Sequence, residues 1–461
     1  MVCVVDDAAM RVMSSVMGMY DLMEQRVSLV EALTKKRAPF PDLGVIYVCA
    51  PTVSNVEIIV NDFMPTDGKK QPLYGNAVFI YFLSKVPKEV FSKLKICKPL
   101  IKRLKALGEI NVDFLAKQSR AFHFDMIRSM PDLYRREGVF NLTHNSIIEK
   151  LVTLCATLNE YPHVRYPVAC PLSQNLAETF QSKMNEFVAS APNWWYYGMS
   201  GHTERDRSTL LLVDRSMDPL TPLMHEFTYQ AMVYDLLDIQ DDKISYKADV
   251  VKAEAGDTQV ESVAKDVLLN DNDELWVELR GRHIADVIQT LSTRIKEVVN
   301  SNTGAKLAAG DGANMSLSQM ATALKALPEY QEVMSKLSQH MHISHQCMSV
   351  FNKQNLLELA ELEQTLATGV DEDHRNVKFN DMLDSVEEML HQMSPTQAVR
   401  LLAVFLASQE TGTPEPAKNR LYAAASLTPE QERGLQNLEK LGVTIDQRYQ
   451  SNAERMKTLF G

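Results

Sequence analysis

Three apolar runs constrain this chain more than any other feature: VCVVD at 2–6, GVIYVCA at 44–50 and AVFIYFL at 77–83. Their apolar residues are continuous rather than alternating. A strand built from any of them must therefore be covered on both faces, which calls for a parallel sheet layered by helices. INVDFL at 110–115 reads as a fourth strand, and the segments between carry helical patterns. The expectation is an α/β domain over residues 1–124, with ligand sites at the carboxyl edge of its strands.

A second α/β unit is expected over 125–238, where the helices IIEKLVTLCATL and LAETFQSKMNEFV precede the strand TLLLV. A lone strand cannot satisfy its own backbone groups, so this unit needs strands from elsewhere. From 239 to 461 the pattern turns helical, after a hairpin at ISYKADVV and VAKDVLL. The small, Gly-rich SNTGAKLAAGDGA (301–313) predicts a flexible break between helices. Ser394-Pro395 and Thr428-Pro429 each place a capping residue before a proline at the first helical position, and Gln431 completes a capping box with Thr428. The fold class is thus α/β plus α: two parallel-sheet α/β/α domains and one mostly helical domain. A chain of 461 residues, 45% hydrophobic, suffices for two to four such cores.

A net charge of -11 argues against nucleic acid, which needs a basic face. The six cysteines show no C-x-x-C spacing and mostly lie in apolar stretches, so they read as reduced core thiols of a cytosolic protein. The amino terminus has no charged n-region or long apolar run, and no segment approaches the length of a spanning helix. Work at a membrane is therefore expected to pass through a partner.

The stretch LLLVDRSMDPLTPLMHEFTYQAMVYDLL (210–237) poses the question of chemistry. Asp214 at the end of a strand, with Asp218 nearby, resembles the carboxylates of a metal-dependent hydrolase. Against that, Pro219 and Pro222 stiffen the loop, Thr221 is placed to cap a helix, and Arg215 can neutralise either aspartate; Leu223, Phe227, Ala231 and Tyr234 then mark one packed helix face. A structural role is the better reading. HEFTY (225–229) is half a zincin motif with Tyr229 where the second histidine belongs, and HMHISH (340–345) lacks a carboxylate or cysteine at ligand spacing. No metal or cofactor is expected. Nor is there a phosphate-binding or serine-hydrolase fingerprint. KEVFSKLKICKPLIKRLKALGE (88–109) holds seven basic residues and reads as a basic amphipathic helix, more simply a solvated outer face than a membrane or partner surface. NWWYY (193–197) reads as core or inter-domain packing.

The loop, together with LLNDNDELWVELRGRHIADVIQ (268–289) and LCATLNEYPHVRYP (154–167), resembles the Sec/Munc family of syntaxin-binding proteins, most closely its exocytic, plasma-membrane branch. That resemblance implies a non-catalytic, three-domain arch that clasps a syntaxin-type SNARE and promotes SNARE assembly for vesicle docking, fusion and exocytosis. It implies a cytoplasmic protein, peripheral to membranes through its SNARE partners. Phe91, Leu104, Leu107 and Glu109 match the family's pocket for the syntaxin N-terminal peptide, an apolar groove with one acceptor for a basic side chain. Arg11, Glu31 and Arg37 match charged positions facing syntaxin in the cavity, whereas Gly18 and Ala38 stand where relatives carry Lys and Glu. The family's helix before the first strand and its return segment after the third domain have no counterpart in this sequence.

In the third domain, SLSQMATALKALPEYQEVMSKLSQHM (316–341) reads as helix interrupted at Pro328. The resemblance implies two arrangements, bent back and extended. The extended one would offer Met334 and Met341 to the vesicle SNARE or the assembled SNARE complex. A plain helical hairpin around 315–345, with both methionines in the core, is the simpler alternative.

Overall fold

The computed structural model describes residues 1–64, 72–75, 77–135, 137–191, 194, 207–240, 242–254, 257–308 and 328–447. The chain forms two compact units, Met1–Asp214 and Arg215–Gly461.

The first unit is built on a five-stranded parallel sheet of β1 (Val2–Val5), β2 (Leu29–Ala32), β3 (Val45–Cys49), β4 (Val78–Phe82) and β5 (Leu104–Glu109), in the order β2-β1-β3-β4-β5. The three runs read from the sequence are its centre. Val2, Val4, Val45, Tyr47, Cys49, Val78, Ile80 and Phe82 lie in one core with Val56, Ile59 and Phe63. Those last three belong to α3 (Val53–Phe63), which follows α1 (Asp7–Val16) and α2 (Met19–Glu24) and precedes α4 (Lys88–Ile96) and α5 (Lys98–Ile101).

Two expectations fail at this sheet's margins. The stretch 88–109 is not one helix: it breaks at Cys97 and turns into β5, whose alternating burial is that of an edge strand with one face exposed. INVDFL is accordingly not the fourth strand. Ile110 and Val112 still donate to Phe82 and Leu83, but only Leu115 of that run enters a strand, β6 (Leu115–Gln118), which pairs antiparallel with β7 (Ala121–His123).

The rest of this unit packs α7 (Glu137–Leu158) on α8 (Pro171–Ser190), after the short α6 (Ser129–Arg135). β8 (His163–Arg165) pairs in parallel with β9 (Thr209–Leu211), which supplies the second strand that the sequence reading lacked. β9 is not covered on both faces as its apolar run suggests: Leu210 and Leu212 join the α7–α8 core, while Leu211 and Val213 are 60% and 64% exposed. Of the aromatic cluster at 193–197, only Trp194 falls within the described residues; it meets Phe187 edge-on with ring centroids 5.4 Å apart.

The second unit opens with two 3-10 turns at Arg215–Met217 and Thr221–Leu223. Then come α9 (Tyr229–Leu236), β10 (Ile239–Gln240) and the hairpin of β11 (Lys243–Glu254) with β12 (Asp257–Leu268), antiparallel as the sequence predicts. Among the described residues the helices α10 (Glu274–Leu279), α11 (Ile284–Ala308), α12 (Pro328–Lys353), α13 (Leu356–Thr368), α14 (Phe379–Leu390), α15 (Pro395–Ser408), α16 (Glu415–Ala424) and α17 (Pro429–Gln436) follow. Ser394 and Thr428 cap α15 and α17 with capping boxes, and a proline holds the first position of each. The expected break at 301–313 is overturned in its first part, because 301–308 continue α11 as helix. Of 316–341, residues 316–327 lie outside the described residues and Pro328 is the first residue of α12, where a missing N–H is harmless. Two cores hold the unit: one around α13, α14 and α15, the other around α9, α10, α11 and α12.

Candidate functional site

The Tyr134 hydroxyl donates to Asp214, the last residue of the first unit, shared between Oδ1 at 2.8 Å and Oδ2 at 2.7 Å. Asp218 folds its own loop: Oδ1 accepts from the backbone N–H of Leu220 at 3.1 Å and Thr221 at 2.9 Å. Hydrogen bonds from the Thr221 hydroxyl and backbone, from Leu220, and the charge of Arg215 together hold the Asp218 carboxyl below its usual range. Arg215 itself donates to the Asp218 carbonyl at 2.9 Å, so its geometry closes the turn rather than pairing that carboxylate. Thr221 does not cap a full helix. It opens one 3-10 turn, and the helix proper begins at Tyr229 behind Thr228, with Tyr229, Met232 and Val233 as its fully buried face; of the expected set, Leu223, Phe227 and Tyr234 pack half-buried against the cores, the first two ahead of the helix. Among the described residues no group of three or more His, Cys, Asp or Glu is placed to hold a metal ion.

The segment after the loop is fastened from two distant helices. Glu363 of α13, 1% exposed, accepts from the His225 backbone N–H at 2.8 Å, and its other oxygen lies 2.9 Å from His225 Nδ1. Arg400 of α15 donates to the carbonyls of Leu223 and Met224 at 2.5 and 3.1 Å and to both carboxylate oxygens of Asp235 at 2.9 Å. His225, the zincin-like histidine, is a structural hydrogen-bonding group.

His340 of HMHISH is also explained. It is wholly buried on α12, with Nδ1 at 3.0 Å from the Tyr229 hydroxyl and Nε2 at 3.0 Å from Asp273 Oδ2. Asp273 also caps α10, its Oδ1 accepting from Leu275 and Trp276 at 3.1 Å, and the Trp276 ring stacks on His340. Burial raises the Asp273 pKa, but the bond and charge of His340 and the cap outweigh it and hold the carboxyl below its usual range. A depressed folded-state pKa contributes stability that is complete above the unfolded value and is lost as pH falls through the folded one. Asp273→Asn, which keeps one of the two acceptors and removes the titration, is therefore expected to flatten the stability loss below about pH 4 in urea melts at stepped pH. A loss as steep as the parent's would remove Asp273 from the account.

The expected partner-facing residues separate. Phe91 on α4 and Leu107 on β5 are 40% and 37% exposed. Glu109 accepts from the Val86 N–H at 2.7 Å, which brings the end of β5 to the residues that open α4. Leu104 lies on the opposite, inward face of β5 and packs against the sheet core. Arg11 is 59% exposed, pairs with Asp125 at 3.0 Å and lines a cleft of about 120 Å³ with Phe124 and the Lys150–Asp113 pair. Glu31 accepts from the Tyr74 hydroxyl at 3.0 Å. Arg37 is turned inward: its side chain is 5% exposed and bonded to Asp62, which also accepts from Tyr47 at 2.7 Å. Met334 and Met341 are half-buried on α12 against the core that contains Trp276 and Ile343.

The Sec1 family profile matches residues 1–459. The chain belongs to the Sec1 family. It is 35% identical over 445 residues to the protein transport protein sec1 of Dictyostelium discoideum, covering 96% of this chain and 70% of that protein. It is 30% identical over 456 residues to the SNARE-interacting protein KEULE of Arabidopsis thaliana, covering 96% and 65%. This chain thus spans about two thirds of the length of these relatives. Its fold matches that in the Unc18–syntaxin 1 complex of Monosiga brevicollis with a TM-score of 0.81 at 27% identity, over 98% of this chain and 77% of that one. The fold is also that of Vps45 in its complex with the Qa SNARE Tlg2, at a TM-score of 0.71 and 20% identity, over 95% and 72%.

In this Sec1-family chain the loop around Asp218 is a folded turn, and nothing in it supports the hydrolase reading. The sequence reading missed Glu363, Arg400, Asp273 and Tyr134, each of which acts on a residue it had singled out or on that residue's neighbours. The cysteines are all free, and five of the six are buried. Burial pushes the Cys3 thiol up to about 11 and those of Cys155 and Cys347 up to about 12. Among the described residues no helix is long and apolar enough to cross a membrane.

Proposed function

We propose that this chain is a non-catalytic SNARE-binding chaperone that clasps a syntaxin-type Qa SNARE and promotes SNARE assembly in vesicle docking and fusion. The observation that carries the reading is the likeness over nearly the whole chain to an Unc18 protein in complex with syntaxin 1. The exocytic, plasma-membrane step is the branch proposed: sec1 proteins stand among the similar relatives, although a Vps45 of Schizosaccharomyces pombe is also similar at 25% identity. The protein would act from the cytoplasm, peripheral to plasma or vesicle membranes, with domains at 1–124, 125–238 and 239–461.

Within that reading, Phe91, Leu107 and Glu109 supply the apolar wall and acceptor for the SNARE's N-terminal peptide, and Leu104 backs the wall from within. Arg11 and Glu31 supply the charged surface. Arg37 contributes by fixing Asp62 and Tyr47 beneath it. Met334 and Met341 are held for the vesicle SNARE on the helix that Pro328 begins. Calorimetry against syntaxin cytoplasmic regions, with and without the N-terminal peptide, tests the proposal. Binding is expected to one or more of them, and Phe91→Ala is expected to weaken it about tenfold. No binding to any syntaxin would refute the function. Binding indifferent to both peptide and Phe91 would refute only the pocket.

A further inference from the structure

The chain is acidic overall, yet residues 88–105 hold seven basic residues and one acidic one. The structure shows why that charge gathers on one surface. Val90, Leu94, Cys97 and Leu100 are buried in the sheet core, so α4 and α5 are anchored along one side. Lys95, Ile96, Lys98, Ile101 and Lys102 are left facing out. Two neighbouring basic groups are engaged within the protein: Lys93 with Glu57, and Arg103 with the Pro99 carbonyl. Lys95 lies over the Phe91 ring, 4.4 Å from its centroid. Among the described residues Lys95, Lys98 and Lys102 have no carboxylate partner. Between them Ile96 is 76% exposed and Ile101 44%.

We propose that this face of α4 and α5 is a docking surface for an anionic membrane, with Ile96 and Ile101 entering the boundary between headgroups and acyl chains while Lys95, Lys98 and Lys102 meet the lipid charges. Three ammonium groups without a carboxylate partner, around two exposed isoleucines, match the two things such a boundary offers, diffuse negative charge and apolar depth. Flexible lysines act as point charges and suit a fluid array of headgroups; a fixed acidic peptide is better gripped by the bidentate fork of arginine. A nucleic acid would run on past the patch and meet the acidic remainder of the surface, whereas a bilayer can be approached by one face alone. The attraction is modest, about fivefold in affinity per lysine, so the contact is reversible and adds to whatever grip a membrane-anchored partner provides. Through Lys95 and Phe91 this face borders the proposed peptide pocket, but the inference does not rest on the SNARE reading.

Co-sedimentation of the full chain with phosphatidylcholine vesicles, with and without phosphatidylserine, tests it. Binding is expected only with phosphatidylserine and is expected to weaken as salt is raised. The triple variant Lys95→Glu, Lys98→Glu, Lys102→Glu should lose at least on the order of a hundredfold in partitioning, and Ile96→Ser with Ile101→Ser should lose severalfold, both at an unchanged melting temperature. If the charge reversal unfolds the sheet, the triple glutamine variant replaces it, with the same loss expected in direction. Equal partitioning of parent and variants overturns the proposal, as does equal binding to vesicles of phosphatidylcholine alone. Failure of the parent to bind either vesicle also overturns it, and capture by polyglutamate at the same lysines would then assign the face to an acidic protein.

Discussion

Glu363→Ala is expected to destabilise the protein by about 3 kcal/mol, because it removes one member of a buried pair and leaves the other without its partner. His225 and Glu363 side chains are 4% and 1% exposed, so water does not readily replace the lost carboxylate. Two groups are orphaned at once, the His225 backbone N–H and Nδ1, both now within 2.9 Å of a Glu363 oxygen. Glu363→Gln keeps one acceptor in place and should show a smaller loss. Chemical denaturation measures both, with a shift in midpoint at unchanged slope as the signature. A loss under about 1 kcal/mol for the alanine variant would mean that the segment after the Asp218 loop is held chiefly by Arg400.

Trp276→Ala is expected to cost about 3 to 5 kcal/mol, the range for deleting a large aromatic side chain from a packed core. Trp276 is 1% exposed, meets Tyr229 edge-on at 5.3 Å between centroids and stacks on His340 at 6.3 Å. The loss should be uneven. α12 leans on Trp276 through His340, and Leu337, Ile343 and Cys347 share its core, so amide exchange along 337–347 is expected to accelerate more than exchange in α15. Uniform acceleration would show that Trp276 supports the whole unit and does not steady α12 in particular.

How much of this was legible in the sequence varies with the kind of contact. β1, β3 and β4 announce themselves because both faces are covered, which forces continuous apolar runs. β2 and β5 lie at the two edges of the same sheet, and edges admit Lys and Glu, so LVEA and LKALGE carry no such signature. The caps at Ser394 and Thr428 were readable because their partners lie three residues on. Arg215 was legible as a charge beside Asp218, and it does help to hold that carboxyl down, but its hydrogen bond to the Asp218 carbonyl was not, since composition cannot tell a carboxylate from a carbonyl on one residue. The bonds that fasten the loop were invisible: Glu363 lies 138 residues from His225, Arg400 lies 177 from Leu223, and Asp273 lies 67 from His340. A histidine with such a partner cannot be distinguished from a metal ligand until the chain is folded. Of the positions carried over by family resemblance, Phe91, Leu107 and Arg11 lie at the surface, while Arg37 turns inward because Asp62 offers its charge a partner.

Phe227 and Phe351 meet edge-on at 5.2 Å, and each packs against both cores of the second unit. That ring pair joins the two hydrophobic masses of the unit, so α12, which carries Phe351, reaches the core of α13 and α15 as well as its own.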